Sequence, residues 1–258
     1  MSEQGNTMLT LAGLAGVVYF GHRWLTDSER KRPGGEADAD PVEPVAAVAS
    51  APVAEPVSKP SQVEGANGRG HVSRRFDAVF ATHGRGIPLP YLRALAARES
   101  DLRPDLTTGP AWGLLQVEPV VLADYNKRHG TTFRRADLLS PAINVAVAAD
   151  ALRVIIASYR RFHPDVVNLR EDWDNPRFVE LLTFGWNAGF SERAGVGRVV
   201  TYLGRQGVAD VTVDMVFAHA AAAGAVGHLS REGKLRFAKA VTRLYQRERA
   251  RTDTAAVG

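Results

Sequence analysis

Beyond residue 73 the apolar positions recur at helical spacing. Phe76, Val79 and Phe80 stand at i, i+3 and i+4 and predict a first helix from about Arg74. A second follows Pro88 or Pro90, with Tyr91, Leu92, Leu95 and Ala96 on one side. The alanine- and leucine-rich run Ala142–Tyr159 predicts a third, and the pattern places a fourth at roughly Pro176–Asn187 and a fifth at Val196–Gln206. A last one, Ser230–Arg251, carries Leu235, Phe237, Ala238, Val241, Leu244 and Tyr245 on one side. No stretch alternates cleanly at period two between hairpin turns, so the expected class is mainly α.

The first 72 residues follow other rules. Met8–Phe20, MLTLAGLAGVVYF, is an apolar run shorter than the roughly 20 residues a membrane-spanning helix needs. Extending it to Leu25 takes in His22 and Arg23 near one end, where a long side chain snorkels to the interface. No Lys or Arg precedes the run, as a secretory n-region would require, whereas Arg23, Arg30, Lys31 and Arg32 follow it. The positive-inside rule would put that basic flank in the cytoplasm. A membrane anchor and a signal-like or buried apolar helix both remain open. From Pro33 the chain turns to proline, alanine, valine and acids (Pro41, Pro44, Pro52, Pro56, Pro60), which cannot make a regular helix and reads as a semi-extended linker ending in the glycines Gly65, Gly68 and Gly70. The expected organisation is therefore an apolar segment at 1–32, a Pro/Ala-rich linker at 33–72, a folded domain at 73–251 and a tail at 252–258.

Composition narrows the chemistry. Of 258 residues, 45% are apolar and 23% charged, enough for one sizeable core. A net charge of +4 favours anionic partners without choosing among them. The absence of cysteine excludes disulfides, thiolate nucleophiles and Cys-ligated zinc. The histidines are scattered, with no helical pair at metal-ligand spacing. Gly84-Arg85-Gly86 reads as a turn, and Ser100 has no His partner by spacing to make it a nucleophile. The basic residues of the last helix, Lys234 and Arg236 among them, read as the solvated face of a terminal helix, with contact to an anionic wall or lipid surface as the sharper alternative. No groove-reading motif accompanies them, so nucleic acid is not an expected partner.

One carboxylate stands out. In Tyr91-Leu-Arg-Ala-Leu-Ala-Ala-Arg-Glu99-Ser100, positions four, three and seven before Glu99 are Leu95, Ala96 and Leu92. Glu99 thus lies on the apolar stripe of its helix. A carboxyl there loses hydration, which raises its pKa and suits it to general-acid work near neutral pH. From the spacing alone, pairing with a core arginine, for which Arg93, Arg98 and Arg103 are at hand, is the better explanation.

Three further motifs follow Glu99-Ser100 in order: Gly113-Leu114-Leu115-Gln116, then Pro141-Ala142-Ile143-Asn144 opening a helix, then Phe184-Gly185-Trp186-Asn187-Ala188-Gly189, with Tyr202 beyond. Together they resemble the lytic transglycosylase (SLT) domain family related to goose-type lysozyme, over roughly Ile87–Arg205. The resemblance implies a lysozyme-like helical fold and an enzyme that cleaves peptidoglycan glycan strands without a cofactor. It implies Glu99 as catalytic acid/base, Ser100 as the neighbour that stabilises the helix end and the site, Gln116 as part of the cleft wall, Asn187 as a residue facing the saccharide and Tyr202 as the tyrosine that holds the catalytic carboxyl. The sequence departs from the family pattern with Leu115 in place of a common methionine, Trp186 in place of a common tyrosine, and a compact TTGPAW loop before Gly113.

In the mechanism so implied, Glu99 protonates the bond between N-acetylmuramic acid and N-acetylglucosamine, and then deprotonates the muramoyl 6-hydroxyl to leave a 1,6-anhydro end. Lysozyme-type hydrolysis, with Asp101 or Asp105 as a second carboxylate, stays open as an alternative, although both read better as turn or cap residues. A wall-binding or assembly protein that keeps the cleft without turnover is the other class. The expected setting is the bacterial cell envelope, either the periplasm with membrane contact through Met8–Phe20, or a phage virion or secretion machine that opens the wall locally.

Overall fold

The computed structural model describes residues 72–255. The apolar segment Met8–Phe20, the proline-rich linker and the division of residues 1–71 between them lie outside the described residues. In chain order the described part runs α1 (Asp77–His83), α2 (Leu89–Glu99), a hairpin of β1 (Thr107–Thr108) and β2 (Ala111–Trp112), α3 (Pro119–His129), α4 (Pro141–Phe162), α5 (Pro176–Ala188), α6 (Val196–Gly204), α7 (Val213–His219) and α8 (Glu232–Ala255). Short 3-10 turns at Arg135–Leu139, Val167–Leu169 and Gly227–Ser230 join some of them. The mainly α class expected from the periodicity is what the chain adopts, and the six helices read from it are all present.

The helix starts follow local chemistry. Proline opens α3, α4 and α5, where its missing N–H costs nothing. The Asn175 side chain caps α5 by accepting from the Arg177 N–H, and Gly130 ends α3 in the left-handed conformation. The core gathers around α4, whose Val145, Ala148, Ala149, Leu152 and Ile155 are buried together with Leu92, Leu95, Leu181 and Leu182. By length and composition α4 could cross a membrane, but here it is the central helix of this core.

Three elements differ from the expectation. The TTGPAW stretch is a hairpin, with Thr107 opposite Trp112 and Thr108 opposite Ala111, rather than a plain loop. Helix α3 escapes the apolar pattern because part of its buried face is polar or aromatic, with Asp124 and Tyr125 beside Val121 and Leu122. Helix α7 is too short for its period to register, with only Val213 and Val216 buried. The last helix also runs on to Ala255. It packs along α2 and α5, and the buried Arg93 of α2 ties it in, donating to Glu248 Oε2 (3.0 Å) and to both carboxylate oxygens of Asp77 on α1 (3.0 and 2.6 Å). A guanidinium buried this deeply needs that full set of acceptors.

Candidate active site

Glu99 is the last residue of α2, and Ser100 caps it. The Ser100 hydroxyl is buried and lies within reach of two main-chain carbonyls, Leu114 O at 2.7 Å and Ala96 O at 3.2 Å. It therefore joins the helix end to the Gly113–Gln116 loop. Asp101 and Leu102 then take left-handed φ values of 54° and 58°, turning the chain sharply away and leaving Glu99 at the rim.

The Gly113–Gln116 loop is held from α4. Asn144 Oδ1 accepts from the Leu115 N–H (2.7 Å), while its Nδ2 donates to Trp112 O and Leu138 O (2.9 Å each). Gly113 sits at φ +80°, where a Cβ would fall 2.1 Å from Leu138 O and 2.3 Å from Asn144 Nδ2, so only glycine can stand there. Gln116, itself at φ +47°, folds its amide back to donate to Gly113 O (2.8 Å) and Leu106 O (3.0 Å).

The opposite side comes from the end of α5 and from α8. Trp186 Nε1 donates to Glu99 Oε1 at 2.9 Å. Gly185 lets the helix close on α4, since a Cβ there would lie 2.3 Å from the Tyr159 hydroxyl. The Lys234 ammonium, on the first turn of α8, donates to Asn187 O at 2.8 Å. Asn187 Oδ1 is buried and has no hydrogen-bond partner among the described residues, so it is an acceptor without a donor.

These walls enclose a cavity of about 290 Å³ lined by Glu99, Gln116, Glu118, Trp186, Asn187 and Lys234, with Thr108 and Ala111 of the hairpin at its edge. Burial pushes the Glu99 carboxyl up from 4.5 to about 7, a rise eased by the Trp186 N–H and the Lys234 charge and reinforced by Glu118. Glu118 is also raised by burial, with Lys234 working against the rise. Burial lowers Lys234, and the two carboxyls oppose that fall. A half-buried acid that is near half-protonated at neutral pH, in a cleft with a fixed N–H donor, can deliver a proton and then accept one. Arg93 serves Asp77 and Glu248 and Arg103 Nε donates to Ser100 O, while the exposed Arg98 lowers Glu99 only weakly, from its own helix. Among the described residues no cluster of three or more His, Asp or Glu suits a metal.

The structure therefore brings Glu99, Gln116 and Asn187 to one cavity. Tyr202 lies on α6 outside the cavity lining, with its ring 6.2 Å from that of His219, and the hydrogen-bond donor to the carboxyl is Trp186. Ser100 places its buried hydroxyl on main-chain carbonyls at the end of α2, outside the cavity lining. Asp101 and Asp105 are exposed and outside the lining, whereas Glu118 supplies the second carboxylate there. Sequence reasoning passed over Glu118, although it directly precedes the proline that opens α3, close to Gln116. It also took Lys234 for surface charge, and no local signal marks it otherwise.

The helical fold thus carries a cleft built around the Glu99 carboxyl. Residues 78–194 match the family model of the transglycosylase SLT domain. A solved structure similar to the chain is the 70 kDa soluble lytic transglycosylase SLT70 from Escherichia coli, at 20% identity and a TM-score of 0.45, covering 68% of this chain and 24% of that one. Another is the complex of the 70-kDa soluble lytic transglycosylase with bulgecin A, at 19% identity and a TM-score of 0.44, covering 67% and 24%. The chain spans about a quarter of the length of these proteins. No curated protein matches it.

Proposed function

We propose that this chain is a peptidoglycan lytic transglycosylase that cleaves the β-1,4 bond between N-acetylmuramic acid and N-acetylglucosamine, with Glu99 as the single acid/base. The observation that carries the reading is the Glu99 carboxyl, held near a pKa of 7 in the cleft with its Oε1 accepting from Trp186 Nε1. In the neutral form Glu99 gives its proton to the glycosidic oxygen as the bond to muramoyl C1 breaks. The oxygen of the muramoyl 2-acetamido group bonds to C1 as positive charge develops there. Glu99, now ionised and stabilised by the Trp186 N–H, takes the proton of the muramoyl 6-hydroxyl. That oxygen then displaces the acetamido oxygen at C1, which closes the 1,6-anhydro ring without consuming water. The unpartnered Asn187 Oδ1 is suited to accept an N–H from a sugar acetamido group.

Glu118 favours a second reading, since a second cleft carboxylate is what a hydrolysing muramidase uses to activate water. Digesting purified peptidoglycan with the protein and with its Glu99→Gln variant, read by mass spectrometry, separates the two. Anhydro-ended muropeptides from the wild type alone support the transglycosylase. Products heavier by one water support the muramidase, and no product from folded protein supports a non-catalytic wall-binding role. The setting we propose is the cell envelope, with local opening of the wall for a phage or a secretion machine and with Met8–Phe20 in contact with a membrane. Flotation of the full chain, but not of a chain lacking that segment, with lipid vesicles tests the contact.

A further inference from the structure

The family match ends at residue 194, yet the cavity does not. One of its charged linings, Lys234, comes from α8, a helix beyond the matched stretch that packs along both α2, which carries Glu99, and α5, which carries Trp186 and Asn187. Its ammonium is anchored on Asn187 O at 2.8 Å, a bond that fixes where the cation sits relative to the cleft floor. Further along α8 the buried Arg93–Glu248 pair, whose side chains are each 2% exposed, holds the helix against α2. We propose that α8 completes the reaction cleft through Lys234, a positioning residue whose ammonium fixes the Asn187 main chain and balances the charge of the two cleft carboxyls through the proton transfers. This inference rests on the acid/base role proposed for Glu99.

The groups that act on Lys234 are Glu99 on α2, Glu118 ahead of α3 and Arg231 ahead of α8, while Arg98 acts on Glu99 from its own helix. Before the reaction the cation stands beside a neutral Glu99. Once Glu99 has given up its proton, the same cation faces its carboxylate and stabilises the new charge as it forms. When Glu99 takes a proton back from the 6-hydroxyl, the original balance returns. A cation already fixed by its bond to Asn187 O does this without having to reorganise.

The test is the pH profile of kcat/KM on purified peptidoglycan for the full chain and its Lys234→Met and Lys234→Arg variants, with Glu99→Gln as control and thermal melts to verify folding. Removing the cation leaves only the Trp186 N–H and Arg98 to oppose burial and Glu118, so the alkaline limb of Lys234→Met moves up by about one pH unit, the low end of what one neighbouring charge does to a carboxyl. Its kcat/KM at the optimum falls roughly tenfold, as a weaker acid drives a weaker proton transfer. Lys234→Arg keeps the limb where the wild type has it. A wild-type limb in Lys234→Met, or an equal displacement in both variants, overturns the proposal, since a merely structural lysine would lower the rate without moving the limb. A wild type that releases no product, or an active Glu99→Gln, defeats the acid/base reading itself, whatever the lysine variants do.

Discussion

The two walls of the cleft are built on different terms. On one side the end of α2 and the Gly113–Gln116 loop are fixed by bonds to main chain: the Ser100 hydroxyl to Leu114 O, the Asn144 amide to Leu115, Trp112 and Leu138, and the Gln116 amide to Gly113 and Leu106. On the other side the end of α5 and the start of α8 present groups that touch or face the Glu99 carboxyl, namely the Trp186 N–H, the Lys234 ammonium and the free Asn187 Oδ1. The first wall spends its polar groups on itself and sets the shape. The second lines the cavity with an indole N–H, an ammonium and an amide, and sets the charge. Damage to the first should therefore appear as lost stability, and damage to the second as altered rate and pH dependence.

The strongest way to break this division is at the carboxyl where the walls meet. Glu99→Gln should lower product release by about 10³-fold, within the span expected for loss of an acid/base group, with the melting temperature at pH 5 unchanged. A comparable loss of melting temperature would make Glu99 structural. On the main-chain wall, Gly113→Ala forces a Cβ into Leu138 O and Asn144, and should cost about 3 kcal/mol in chemical denaturation, as steric and left-handed strain combine. A variant of wild-type stability would show that the loop is not the rigid element described.

Smaller effects sharpen the contrast. Glu99 has a folded pKa of about 7 against an ordinary 4.5, raised by burial. Its contribution to stability is therefore fully present below the ordinary value and is lost as pH rises through about 7. Relative to wild type, Glu99→Gln should gain stability between pH 5 and pH 8, by on the order of 1–2 kcal/mol after allowance for solvent screening at the cleft. Urea denaturation at the two pH values measures it, and an unchanged difference would contradict the buried-acid environment. Trp186→Phe keeps the ring and removes the donor, so kcat/KM should fall roughly tenfold, the worth of one hydrogen bond to a charged group, with the alkaline limb moving up. The smallest effect is expected from Glu118→Gln. Because Glu118 raises Glu99, its neutralisation should move the alkaline limb down by about half a unit, with little change in melting temperature. A limb that moved up would reverse the assigned electrostatics.

The parts of the site legible in the sequence are those carried by single elements. Glu99 reads as a stripe carboxylate because its neighbours Leu92, Leu95 and Ala96 are on the same helix. The Gly113 turn and the Asn144 helix start are likewise local. Which way α6 presents Tyr202 is not written in its position along the chain, and in the fold its ring lies against His219. Trp186 reads in the sequence as a departure from a common tyrosine, whereas in the fold its indole N–H is the donor to Glu99. A donor's identity is visible in sequence, but its aim is not.

The sequence by itself determined the mainly α class, the six helices with a clear apolar period, the break in composition before residue 73 and the candidate acid at Glu99, because each depends on residues within a few turns of one another. Tertiary structure alone decided that Lys234 and Glu118 share a cavity with Glu99, and that the basic last helix forms part of the cleft. These outcomes depend on how α8 packs along α2 and α5, and on buried pairs such as Arg93–Glu248 whose partners lie far apart in the chain. Local periodicity carries no record of those distances, whereas burial and charge pairing in the folded chain set them.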